Sequence, residues 1–74
     1  MTKEKLEELQ LLTEEKLAAT KLARAIYRWV ALQNKDREME NKAWEENQTA
    51  FEEWREAAKA YRKAEDDYWK EISA

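Results

Sequence analysis

The chain has 74 residues and contains no glycine, proline, cysteine or histidine. Nothing in it obliges a helix to stop, and disulfides, cysteine-based zinc sites and histidine-assisted catalysis are excluded. An apolar fraction of 43%, a charged fraction of 42% and a net charge of −3 suit a helical assembly with a solvated exterior and weigh against generic nucleic-acid affinity.

Thr2 is a suitable cap for a first helix over about residues 3–33. Thr13, followed by Glu14 and Glu15, offers a second cap at which that helix could kink or restart. From Leu11 to Leu32 the apolar residues fall into neighbouring heptad columns. One holds Leu11, Ala18, Ala25 and Leu32; another holds Leu12, Ala19 and Ile26; Leu22 and Trp29 lie in a third, and Leu9, Ala23 and Val30 in a fourth. Together they span an arc of roughly 160°, wider than one neighbouring helix covers, so helix 1 is expected to have at least two neighbours.

The pattern lapses at Gln33-Asn34-Lys35-Asp36. Asparagine tolerates the left-handed position after a helix and aspartate is a good N-cap, so the turn is placed at 34–36 and a second helix at about 37–73. That second half carries a sustained seven-residue repeat. Ala43, Ala50, Ala57 and Ala64 form one column, Trp44, Phe51, Ala58, Glu65 and Ile72 the next, and Asn47, Trp54, Tyr61 and Tyr68 a third. Such a stripe is the mark of coiled-coil packing, with alanines allowing close approach beside large aromatics. Asn47 and Glu65, polar within the stripe, read as devices that set register and partner number.

A hairpin and a continuous rod would both satisfy these repeats. If the chain turns at Lys35, residues whose numbers add to about 70 lie side by side. Leu12 then meets Ala58, Ala19 meets Phe51 and Ile26 meets Trp44, while Lys5 faces Glu65, Glu8 faces Arg62 and Glu15 faces Arg55. Residues 13–35 carry five basic and two acidic side chains, and residues 36–56 three basic and eight acidic. A hairpin sets these blocks against each other, whereas a parallel pair would set each against its own copy. The expected fold is therefore all-α: a single domain over 1–74, folded as an antiparallel, coiled-coil-like two-helix hairpin. Its expected core is Leu12, Ala19, Ile26, Trp44, Phe51, Trp54, Ala58, Tyr61 and Tyr68.

Below roughly 70–80 residues a domain commonly needs a staple or a partner. The uncovered side of helix 1, through Leu11, Ala18, Leu22, Ala25, Trp29 and Leu32, is the expected self-association face, closing a four-helix or larger bundle. Catalysis has poor material: Ser73 lacks a histidine to activate it, and Glu45, Glu46, Glu52 and Glu53 suit a solvated acidic face better than paired acids in a cleft. Those acids point outward rather than into a bundle core, so no metal is expected. Glu38, Glu45 and Glu52, one per heptad, are too sparse to imitate a phosphate backbone.

Lys21, Arg24, Tyr27 and Arg28 form a basic edge with an aromatic among them, and Trp69 is a further aromatic outside the core columns. These residues make a candidate patch for a partner or ligand. The expected function is non-enzymatic: a small self-associating adaptor, inhibitor or assembly protein that binds another protein, similar in composition to small accessory proteins of phages and mobile elements. The competing reading is an oligomer that sequesters a nucleotide or short nucleic acid on that basic edge. A designed bundle is a third, opposed by the glycine-free turn and the four tryptophans. No cofactor, metal or membrane partner is implied, and without a signal or membrane-spanning run the cytoplasm is the default location.

Overall fold

A computed structural model describes residues 2–33 and 36–73. Two antiparallel helices, α1 (Lys3–Gln33) and α2 (Arg37–Ser73), pack along their length in a body of 59 × 13 × 12 Å. Each helix begins where the sequence supplies a cap. Thr2 Oγ1 accepts the Lys5 N–H at 3.2 Å, and Asp36 Oδ1 accepts the N–H groups of Glu38 at 3.0 Å and Met39 at 3.4 Å. Asn34 and Lys35, on which the sequence places the turn, lie outside the described residues.

Helix α1 runs unbroken through Thr13. That hydroxyl does not cap a new helix; it donates to the Leu9 carbonyl of its own helix at 2.9 Å and to the Ala57 carbonyl of α2 at 3.2 Å. Seven residues on, Thr20 repeats the arrangement, bonding Lys16 O at 2.9 Å and Ala50 O at 3.0 Å. These contacts fix the register: Thr13 lies opposite Ala57 and Thr20 opposite Ala50, as the expected pairing of numbers requires.

The register is as expected, but α1 is turned about its axis. Its covered seam is Leu6, Thr13, Thr20 and Tyr27 together with Leu9, Lys16, Ala23 and Val30, all buried or half-buried. Leu12, Ala19 and Ile26, expected in the core, are exposed instead. The cause is volume. The alanine column of α2, with Ala43 and Ala64 buried, draws the backbones close. Threonine fits that gap and delivers its hydroxyl to a facing carbonyl, whereas leucine or isoleucine would hold the helices apart.

On α2 the alanine column and the column of Asn47, Trp54, Tyr61 and Tyr68 face α1. Phe51 and Ala58 flank them half-buried, and Trp44 is exposed at the edge. The charge pairing also follows the rotated face. Among the described residues the ion pair between helices is Lys16 Nζ to Glu53 Oε2 at 3.2 Å, not Lys5–Glu65, Glu8–Arg62 or Glu15–Arg55. Lys5 turns to Glu8 of its own helix at 3.8 Å. Among the described residues no helix is long and apolar enough to cross a membrane.

Candidate functional site

Two surfaces of the hairpin are left with unspent chemistry, and they lie on different sides of α1. The first is the apolar face that the rotation turns outward. Leu11, Leu22, Trp29 and Leu32 are 61%, 64%, 60% and 83% exposed, and Ala18 and Ala25 lie exposed among them. Leu12 and Ile26 form the edge of this stripe next to α2. Near the turn it crosses to the second helix, where Trp29 and Met39 border a hollow of about 220 Å³ with Val30 between them. The six residues expected to mediate self-association thus share one outward face, joined by Leu12, Ile26 and Met39, which the sequence assigned elsewhere or passed over.

The second surface is a cleft of about 340 Å³ between the helices, on the other flank of α1. Arg24 and Arg28, one turn apart, stand on its α1 wall with Tyr27; Trp44, Gln48 and Phe51 come from α2. Tyr27 and Trp44 meet with ring centroids 5.2 Å apart and planes inclined at 56°, so Tyr27 belongs to the seam as well as to the cationic edge. Asn47 lines the same cleft; it is 9% exposed, and its Oδ1 has no hydrogen-bond partner among the described residues. A neighbouring hollow of about 250 Å³ is lined by Lys21, Arg24, Phe51 and Trp54. No carboxylate pairs with Arg24, Arg28 or Lys21 among the described residues.

The expected patch of Lys21, Arg24, Tyr27, Arg28 and Trp69 is therefore divided. The first four gather at this cleft and its neighbour, while Trp69 lies towards the far end of α2, exposed and edge-on to Tyr68 at 5.7 Å. The α2 contributors Trp44, Gln48, Phe51 and Asn47 were not joined to the patch in the sequence, because a one-helix view cannot show what lies across a seam. The signal was present in the register, which places Tyr27 beside Trp44.

Among the described residues no three acidic side chains converge as a metal set would. Among the described residues, hydrogen bonding to Glu65, desolvation and the negative charges of Glu65 and Glu14 hold the Tyr61 phenol above its ordinary value of 10.0. A raised value means that the fold prefers the neutral phenol. This contribution to stability is complete below the unfolded value and is lost as pH climbs through the folded one. Phenolate absorbance should show Tyr61 ionising late, and Glu65→Ala should bring it down; an unmoved titration would contradict that pairing.

Comparison of the chain with protein-family models, with characterised proteins and with solved structures gives no match.

Proposed function

We propose that the protein is a non-enzymatic helical interaction module that associates with itself through the outward face of α1 and acts by binding a partner protein, as an adaptor, inhibitor or assembly factor. The observation that carries this reading is the continuous stripe of Leu11, Leu22, Ile26, Trp29 and Leu32 left open to solvent. Contiguous apolar surface of this kind marks association sites on soluble chains, whereas single exposed leucines mark nothing.

The area supports a second copy as the first occupant. A folded chain of 8.9 kDa ordinarily exposes about 4,800 Å², whereas the hairpin exposes 6192 Å². The excess of about 1,400 Å² exceeds the roughly 800 Å² that each partner buries in a standard stable interface. Two hairpins packed through α1 would close a four-helix bundle with α2 outermost. Glu38, Glu45 and Glu52, all exposed along α2, would remain to select the partner protein by charge.

Small-angle scattering on an absolute scale tests the first step. The expected result is a mass of two or more chains with a longest dimension still near the hairpin's 59 Å, because the copies lie side by side. A single-chain mass at working concentration would overturn the reading.

A further inference from the structure

The apolar stripe of α1 also records the direction of its partner. On the premise that the chain associates with itself through this face, we infer that two hairpins pair with their α1 helices antiparallel. The twofold axis crosses level with Thr20, and the two turns point in opposite directions.

The stripe is centred on the column that begins at Leu11 and on its neighbour holding Glu15, Leu22 and Trp29. Leu12 and Ile26, only 41% and 46% exposed, mark the edge towards α2. Two adjacent columns make a knobs-into-holes seam, and an antiparallel pair matches residues whose numbers add to about 40. Trp29 then meets Leu11 of the second copy and Leu22 meets Ala18, each contact occurring twice. Larger side chains face smaller ones, and Leu12 meets Ile26 along the edge. Glu15 falls opposite Ala25, where its carboxylate reaches past a methyl group to water. A parallel pair would set each residue on its own copy: Trp29 on Trp29, Ala18 on Ala18 and Glu15 on Glu15. Overfilled layers would alternate with gaps, and like charges would meet in the seam. The next antiparallel register, one heptad along, would set Glu15 on Leu32 and Arg28 against Lys21.

Charge selects the same direction independently. The column bordering the stripe on its other side holds Glu7, Glu14, Lys21 and Arg28, all exposed, with acids towards the N-terminus and cations towards the turn. Such a column complements itself only when reversed. The antiparallel register brings Arg28 to Glu14 of the second copy on both sides of the axis. Among the described residues neither group has an ion-pair partner within its own hairpin, so each keeps its charge for the second copy. A parallel pair would lay this column over Leu12, Ala19 and Ile26 and pair none of it. Lys21 meets its own copy at the axis, in an exposed contact that water and salt largely screen. Exposed ion pairs add little affinity, but the wrong orientation forfeits them. They set the direction while the apolar layers supply the strength.

Two measurements on the full chain test this arrangement. The chain has no cysteine, so Lys3→Cys offers one site for a spin label. Pulsed electron paramagnetic resonance should find the two labels about 50 Å apart, from about 17 residues at ~1.5 Å each on either side of the axis. A parallel pair would hold them below about 30 Å, since neighbouring helix axes lie only about 8–10 Å apart. Sedimentation equilibrium should find the parent at the mass of two chains. Glu14→Arg and Arg28→Glu should each weaken association by about fivefold or more, and together should return it to within about twofold of the parent. Positions 14 and 28 lie about 21 Å apart along one helix, so that rescue can pass only between copies. Circular dichroism should show helicity retained in each variant, which separates lost pairing from misfolding. A short label distance, single variants that associate as the parent does, a double variant without rescue or a three-chain mass would overturn the antiparallel pair and leave self-association standing. A single-chain mass for the parent would overturn self-association and this arrangement with it.

Discussion

Replacing Ala50 and Ala57 together with leucine should unfold the hairpin, although leucine is what a generic coiled-coil seam would favour at such positions. The expectation follows from how closely the helices approach. The Thr20 hydroxyl reaches the Ala50 carbonyl at 3.0 Å and the Thr13 hydroxyl reaches the Ala57 carbonyl at 3.2 Å, so no space for further side-chain carbons lies between them. Each leucine adds an overpacking cost of about 1–3 kcal/mol. Each also breaks a hydrogen bond to a facing carbonyl, worth roughly 0.5–1.5 kcal/mol. The two sites are a heptad apart and should add, for about 5 kcal/mol in total, which is on the order of the whole stability of a domain this small. Helical circular dichroism followed through urea would show the midpoint collapse. Ala60→Leu, on an exposed position of α2, should stay within about 0.5 kcal/mol of the parent. A midpoint unchanged or raised in the double variant would mean that the alanine column does not face the threonines.

That prediction also shows how far the sequence could be read. The capping residues Thr2 and Asp36, the antiparallel arrangement and the register were legible, because caps are local and a heptad repeat folded at one turn allows few alignments. The rotation of α1 was not. Counting apolar residues selects the columns of Leu12, Ala19 and Ile26, yet the seam admits Thr13 and Thr20, which such a count scores as polar. The deciding quantity is the gap set by the facing alanines of α2, a property of two helices jointly. A spacing of seven between Thr13 and Thr20, equal to that between Ala50 and Ala57, was the available signal. The candidate cleft was half legible for the same reason: Arg24, Tyr27 and Arg28 share one helix, while Asn47 and Trp44 join them only across the seam.

Trp29→Glu should dissociate the proposed bundle while leaving the hairpin folded. Trp29 is 60% exposed in the single chain and stands outside the seam, so removing it costs α1–α2 packing little. In a helix-1 interface it would sit among Leu22, Ile26 and Leu32, the position of a central aromatic anchor. Truncating such an anchor costs about 2 kcal/mol or more, and a carboxylate buried in its place adds a desolvation penalty. The association constant should therefore fall by about a hundredfold or more. Trp69→Glu provides a matched comparison, since Trp69 is 58% exposed but lies on α2 away from the apolar stripe. Sedimentation equilibrium should find the Trp29 variant at single-chain mass and the Trp69 variant at the parent's mass, with equal helicity in both. If the Trp69 variant dissociates and the Trp29 variant does not, the interface belongs to α2. The broad apolar face of α1 would then be open to a partner protein directly, with no second copy between them.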